Sequence, residues 1–231
     1  AEPPPNVNRR RYLTLASAGV VSSLAGCGGR GSTDASETSG DSGRSIDDHP
    51  AATNLEVQPR QGTLGGNVVL AFEDPSCSQC RRFHENAVPN IHSNIVEADA
   101  GAFVVRTYPV IYPWGKPATQ ALESTLARNE EAFWALFDHY FATQSQFTSN
   151  NVFDRTEQFL AETPDLDGTA VVDDARNKVH DDAVQTDIAA AENADLPQQT
   201  PIVLLFRDSQ FITRANGSVS YDLIANALGL S

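Results

Sequence analysis

The chain has 231 residues, of which 40% are hydrophobic and 20% charged, with three cysteines, no methionine and a formal charge of -14. Asp and Glu are spread along its length and its only lysines are Lys116 and Lys178, so no basic stripe exists to meet phosphates and nucleic-acid binding is disfavoured. The length suits one domain with a sizeable core, preceded by a segment of different character.

That segment begins with Asn8-Arg9-Arg10-Arg11-Tyr12-Leu13, followed by a moderately apolar stretch that ends in Leu24-Ala25-Gly26-Cys27. It resembles a twin-arginine export signal joined to a lipoprotein cleavage site. The stretch is shorter than the roughly 20 residues a membrane span needs. A short membrane anchor or a buried helix is the plainer alternative, but neither accounts for paired arginines at one end and small residues before a cysteine at the other. Residues 1–26 are expected to be the signal and Cys27 the lipidated residue, which places the protein on the extracytoplasmic face of the membrane. Losing residues 1–26, with three arginines and Glu2, moves the charge from -14 to -16. A dispersed acidic, lysine-poor surface resembles that of halophilic proteins, whose self-repulsion salt screens; an ordinary acidic secreted protein is the alternative.

Residues 28–50 are rich in Gly, Ser, Thr and Asp, and bury too little apolar surface to order themselves. The expected organisation is therefore a lipid-anchored flexible linker over 27–53 and a folded domain over 54–231. In that domain Val68-Val69-Leu70-Ala71-Phe72 and Ile202-Val203-Leu204-Leu205-Phe206 are continuous apolar runs, as expected of central strands covered on both faces. Ala102-Phe103-Val104-Val105 predicts a third strand, and Gln210-Phe211-Ile212-Thr213 a fourth beyond a turn at Arg207-Asp208-Ser209. From Pro117 to about Asn193 the period changes. Phe133, Leu136, Phe137, Tyr140 and Phe141 recur at intervals of three and four, marking the buried face of a helix with Trp134 at its edge. Phe153, Phe159 and Leu160 predict another helix that stops near Thr163-Pro164, and residues 165–187 read as more polar helices on the exposed side.

Cys77-Ser78-Gln79-Cys80 follows the first strand and opens a predicted helix. Positions one helical turn apart lie about 5 to 6 Å from each other, which suits a disulfide, whose Cα atoms sit roughly 4.4 to 6.8 Å apart. With Cys27 lipidated, this pair is all the thiol chemistry left, so it reads as a redox site. Two other readings stand beside it. Cys77, Cys80 and His84 have the spacing of a partial metal site, although a closed zinc site needs four ligands and no second cysteine pair exists; a copper-handling lipoprotein is the form this takes. Alternatively the pair is an inert disulfide in a solute-binding or structural surface protein.

Several separated segments carry a family resemblance. Phe72-Glu73-Asp74-Pro75 ahead of the dithiol, the helix Phe133-Trp134-Ala135-Leu136-Phe137-Asp138-His139-Tyr140-Phe141, and Leu196-Pro197-Gln198-Gln199-Thr200-Pro201-Ile202 together resemble a DsbA-like thiol-disulfide oxidoreductase of the thioredoxin superfamily. The resemblance implies an α/β thioredoxin-like fold with a helical insertion, about residues 117–193, between a βαβ half and a C-terminal ββα half. It implies an enzyme without cofactor or metal, exchanging disulfides with exported proteins and recycled by a redox partner. It also implies a cis peptide bond at Thr200-Pro201 facing the dithiol, so that these two residues contact the substrate; trans is the default from sequence alone. Thr200 either offers a hydroxyl to the sulfur or satisfies local backbone.

A cysteine at a helix start faces unpaired N–H groups and the positive end of the dipole, which favour a thiolate. Cys77 is therefore the expected exposed, attacking sulfur and Cys80 the resolving one. An exported location favours the oxidising direction, with isomerase and reductase as alternatives; about 30 mV of potential is only 1.4 kcal/mol, finer than two side chains, Ser78 and Gln79, reveal. Two features depart from the family. Ala71 stands six places before Cys77, where many relatives carry a buried acid that serves the second cysteine. Glu73 or Asp74 is the substitute, or else both are solvated carboxylates, and Arg81 and Arg82 read as surface residues.

Overall fold

The computed structural model describes residues 42–164 and 166–230. The expected export signal, Cys27 and most of the expected linker lie outside the described residues.

The long apolar runs become the middle of a single five-stranded sheet. Its strands are β1 (Arg60–Gly62), β2 (Asn67–Glu73), β3 (Gly101–Thr107), β4 (Ile202–Arg207) and β5 (Gln210–Asn216), arranged β1-β3-β2-β4-β5. β2 and β3 are parallel, with Leu70 opposite Val104, and the other pairs are antiparallel. A parallel pair needs a crossover, supplied here by α1 (Ser78–Asn86) and the short α2 (Val88–Ile91). Each central strand is apolar throughout because both faces are covered. Val69, Ala71, Phe103, Val105, Val203 and Leu205 face one core, whereas Val68, Leu70, Phe72, Val104, Leu204 and Phe206 face another. α8 (Tyr221–Leu228) completes the ββα half. Its Ser220 side chain accepts a bond from the Leu223 N–H, satisfying one of the free donors at the helix start.

Five helices fill the insertion: α3 (Gly115–Leu126), α4 (Glu130–Ala142), α5 (Val152–Leu160), α6 (Gly168–Asn177) and α7 (Asp181–Asn193). The aromatic face predicted on α4 is buried, with Phe133, Leu136, Phe137, Tyr140 and Phe141 keeping at most 3% of their surface exposed. Asn129 caps this helix by accepting from the Ala132 N–H at 2.8 Å, and Glu130 and Glu131 complement the dipole in its first turn. α3 is buried along most of its length, which its small residues Ala118, Thr119, Ala121, Ser124 and Thr125 permit. Ser124 and Thr125 satisfy their hydroxyls on the carbonyls four residues back.

Three findings differ from the sequence-based expectation. β1 is an additional edge strand. Residues 43–53, expected in the linker, pack on the domain: the Gly43 N–H donates to the Phe211 carbonyl, the Ile46 N–H donates to that of Ser209, and His49 lies against Phe206 and Phe211. Backbone pairing and two small buried residues, Ala51 and Ala52, hold this segment, so a shortage of large side chains does not free it. Third, residues 168–193 are not merely an exposed layer. Val171, Val172 and Ala175 are buried, and Asp187 is 1% exposed.

Asp187 anchors α7 to the sheet. Its Oδ1 accepts from Arg106 at 2.7 Å and its Oδ2 from the Thr107 N–H at 2.8 Å, while Arg106 also donates to the Thr53 carbonyl. A buried ion pair gains little over an apolar pair, yet removing one partner costs about 3–5 kcal/mol by stranding the other charge. Beside it, burial and then the charge of Asp187 raise the Glu123 pKa to about 8, and Thr107 bridges the two carboxyl groups. Burial raises the Asp187 pKa as well, with Arg106 and Thr107 opposing the rise, so two buried carboxyl groups face the one charge of Arg106 and hold a proton more tightly than in water. A carboxyl that binds its proton more tightly when folded makes the fold lose stability as pH rises from its ordinary value of 4.5 to about 8. Glu123→Gln is expected to make that loss smaller than in the parent without abolishing it, since Asp187, Asp74 and His84 also bind protons more tightly in the fold, read as urea midpoints of both proteins across the same window.

Candidate functional site

β2 ends at Glu73, and the chain turns through Asp74, Pro75 and Ser76 into α1. Asp74 fixes this turn. Its Oδ1 accepts from the Ser76 N–H and hydroxyl at 2.8 and 2.6 Å, and its Oδ2 from the Ile111 N–H at 2.8 Å. The Ser76 hydroxyl in turn accepts from the Tyr112 N–H. Burial raises the Asp74 pKa and these bonds oppose the rise. Gly115 is required beneath it: a Cβ there would stand 2.4 Å from Asp74 Oδ1.

This turn seats Cys77 as the N-cap of α1, with φ -81° and ψ 123°. In the structure both cysteines are free thiols, and the Cys77 Sγ donates to the Thr200 carbonyl at 3.2 Å. The Thr200-Pro201 bond is cis, as the family resemblance implied. Thr200 Oγ1 is buried without a hydrogen-bond partner. The Cys77 pKa falls from 9.0 to about 6. A hydrogen bond from Cys80 contributes most, burial opposes it, and Thr200 and the N–H groups of Cys80 and Gln79 add to the lowering. Cys80 goes the other way: burial, the bond to Cys77 and the charge of Glu73 raise its pKa well above 9.0.

Cys77 is not exposed as expected; only 3% of its surface is accessible. The Thr200 carbonyl meets its sulfur, and Gln144, at the end of α4, donates to the carbonyls of Cys77 and Pro75 at 2.9 and 2.8 Å. A cleft of about 450 Å3 adjoins it, lined by Ser76, Ser78, Tyr112, Trp114, Gln144 and Phe147. Losing the Gln144 amide would leave the buried Pro75 carbonyl without its donor, at about 1–3 kcal/mol for an unsatisfied group, whereas the Cys77 carbonyl keeps the Arg81 N–H at 3.1 Å.

A family model described as Thioredoxin matches residues 58–215. The chain belongs to the thioredoxin family. Its fold is similar to that of oxidised BdbD from Bacillus subtilis, at TM-score 0.64 and 16% identity over 82% of this chain and 98% of that one. A cysteine-to-alanine variant of alpha-DsbA1 from Wolbachia pipientis gives 0.65 and 17% over 78% and 93%. The catalytic domain of Proteus mirabilis ScsC gives 0.58 and 21% over 78% and 92%. No curated protein matches the chain.

Within this thioredoxin fold the place of the missing acid is clear. Val69, Ala71 and Glu73 alternate along one face of β2, the face toward α1. Ala71 is fully buried, and the carboxylate stands one pleat further along, where Glu73 is also fully buried. Neither Glu73 nor Asp74 is a solvated carboxylate. Glu73 Oε1 meets His84 Nε2 at 3.0 Å, Oε2 has no partner, and the charge of Glu73 acts on Cys80. His84 Nδ1 lies 3.7 Å from Asp138 of α4. Burial works against a charge on His84, but Glu73 and Asp138 together raise its pKa from 6.5 to about 9. Both ring nitrogens thus face carboxylates, and a protonated imidazole is no metal ligand. Among the described residues no group of three or more His, Cys, Asp or Glu side chains is arranged to hold a metal ion. Arg82 is exposed, and half-buried Arg81 lies 3.7 Å from Glu85.

Sequence reading missed the Glu73–His84 pair and Gln144. The period of two along β2 was the available signal for Glu73; Gln144, 67 residues from Cys77, had none. Glu73→Gln is expected to lower the His84 pKa from about 9, because burial then faces a weaker opposing charge, and the imidazole NMR titration reads the shift directly.

Proposed function

We propose that the protein is a thiol-disulfide oxidoreductase, exchanging disulfides with exported proteins through Cys77 and Cys80 and acting as an oxidant. The observation that carries this reading is the opposed pair of thiols: Cys77 lowered to about 6 and Cys80 raised well above 9.0, one helical turn apart. Membership of the thioredoxin family and the likeness to thiol-disulfide exchange folds support it.

In the oxidising direction a substrate thiolate attacks Sγ of Cys77 in the Cys77–Cys80 disulfide. The bond between the two enzyme sulfurs breaks, and its electron pair leaves on Cys80. That sulfur takes up a proton, since burial and the charge of Glu73 disfavour its thiolate. A second substrate thiolate then attacks the substrate sulfur of the mixed disulfide, and Cys77 leaves as a thiolate. The substrate is oxidised by two electrons and the enzyme reduced by two. A low-pKa leaving group speeds this second step. The same stabilised thiolate favours the reduced enzyme over its disulfide, which is the property of an oxidant. Thr200 and Pro201 offer the backbone beside Cys77 against which an extended substrate segment aligns.

The export signal, lipidation of Cys27 and the tether are part of this proposal. They put the domain on the extracytoplasmic face of the membrane, where substrate thiols emerge and a redox partner recycles Cys77–Cys80. Among the described residues no helix is long and apolar enough to cross a membrane.

Cys77→Ser is expected to abolish exchange with a model dithiol peptide, and Cys80→Ser to accumulate the mixed disulfide at Cys77, seen by intact mass. An active Cys77→Ser protein would sink the proposal. The pH dependence has a fixed sign. A thiol whose folded pKa is lowered from 9.0 to about 6 stabilises the reduced fold above pH 9, and this is lost as pH falls through 6. The stability of the reduced protein minus that of the oxidised protein is therefore expected to rise between those pH values, by denaturant titration of both forms. Glu123 and His84, common to both forms, largely cancel in that difference.

A further inference from the structure

Both lysines of the chain, Lys116 and Lys178, line one cavity of about 400 Å3 beside α3, α6 and α7. They come from positions 62 residues apart in a chain of charge -14. Neither ammonium group has a hydrogen bond or ion pair among the described residues. The third cation there, Arg176, is already engaged, with Asp154 at 3.3 Å, Asp173 at 3.7 Å and the ring of Phe153 at 5.3 Å. The single acid of the lining, Asp181, accepts from Gln120 Nε2 at 2.6 Å. Two positive charges therefore stand over the cavity without a partner among the described residues.

Apart from Gln120 and Gln185, the rest of the lining is apolar. Phe153, Val184 and Ile188 offer rings and methyl groups, and Val184 is buried. Gln120 adds a polar feature of one sense only: its carboxamide donates to Asp181, and its Oε1, buried in a residue only 6% exposed, has no partner. An unsatisfied buried acceptor calls for an N–H or O–H donor. The volume falls within the range of small-ligand pockets, about 300–1,000 Å3, and such pockets combine apolar walls with a few convergent polar groups.

We propose that this cavity binds an amide-bearing carboxylate with an apolar side chain, the chemistry shared by an N-acylated apolar amino acid and the free C-terminus of a polypeptide. Its carboxylate lies between Lys116 and Lys178, its side chain against Phe153, Val184 and Ile188, and its amide N–H serves Gln120. Pro109 and Lys116 also line a neighbouring groove that extends to Gln198, in the segment before Pro201. The cavity thus lies along the surface leading to the cysteines without including them. None of its residues takes part in exchange, so the two proposals fail independently.

The test uses the full chain, its Val and Ile methyl groups observed by NMR. N-acetylleucine is expected to shift the Val184 and Ile188 methyls at millimolar concentration, and N-acetylleucinamide, which lacks the charge, to bind roughly tenfold more weakly, a loss of about 1.4 kcal/mol. The exposed double substitution Lys116→Gln with Lys178→Gln is expected to weaken N-acetylleucine similarly while leaving disulfide exchange unchanged. A parallel arm uses an acetylated tripeptide ending in leucine: tighter binding than N-acetylleucine assigns a polypeptide end, and weaker binding assigns the free amino-acid derivative. The proposal is overturned if neither carboxylate shifts those methyls, if the amide binds as well as the acid, or if the double variant binds as well as the parent.

Discussion

The seating of Cys77 at the N-cap of α1 is the constraint on which the rest of this structure depends. A cap residue holds extended backbone while its neighbours turn helical, so its side chain faces the free N–H groups of the first turn. For that geometry to serve a sulfur, the turn before it must be rigid. Asp74 holds that turn from one side through Ser76 and Ile111, and Gln144 holds it from the other through the carbonyls of Pro75 and Cys77. The inserted helices thereby become part of the site, because the residue that fastens the cysteine loop sits where α4 ends. Gly115 belongs to the same arrangement, since any side chain there would displace the Asp74 carboxylate.

The acid near the second cysteine follows from strand geometry. Successive residues of a strand alternate faces, so a carboxylate moved by two positions stays on the same side of the sheet. Glu73 keeps the face of Ala71 and still acts on Cys80. A lone buried carboxylate would be expensive to keep charged. His84 meets that cost with a bond of 3.0 Å and a positive charge of its own, and Asp138 carries the polar chain out to solvent, where its side chain is 72% exposed. The buried acid that acts on Cys80 is therefore Glu73, two residues beyond Ala71 on the same face of β2.

How much of this was legible in the sequence depended on whether the determining contact was local. β2, β3 and β4 announce themselves because strands covered on both faces are apolar at every position. The aromatic face of α4 does so through its period. β1 is three residues long and polar at an edge, with no pattern to read. Residues 43–53 are held by backbone bonds to the β4–β5 hairpin and by Ala51 and Ala52, which composition scores as weak. Arg106 and Asp187 are 81 residues apart, and each alone resembles a surface charge. The dithiol and Thr200-Pro201 were readable as motifs, but the accessibility of Cys77 was not, because Thr200 and Gln144 close on it from distant parts of the chain.

A strongly acidic protein that stabilises a thiolate poses an apparent contradiction, which the range of the forces resolves. The general field of a chain at -14 opposes a negative sulfur, but between exposed charges it is cut off over about 10 Å at 0.1 M salt and about 3 Å at 1 M. The groups that favour the Cys77 thiolate are neutral and in contact: the Cys80 thiol, Thr200 and two backbone N–H groups. Contact hydrogen bonds inside a buried site are not screened by ions that cannot enter it. Stabilisation by Arg81 or Arg82 would instead weaken with every increase in salt. Because it relies on dipoles fixed by the fold, Cys77 keeps its acidity over a wide range of ionic strength, and the surface is free to carry almost any charge.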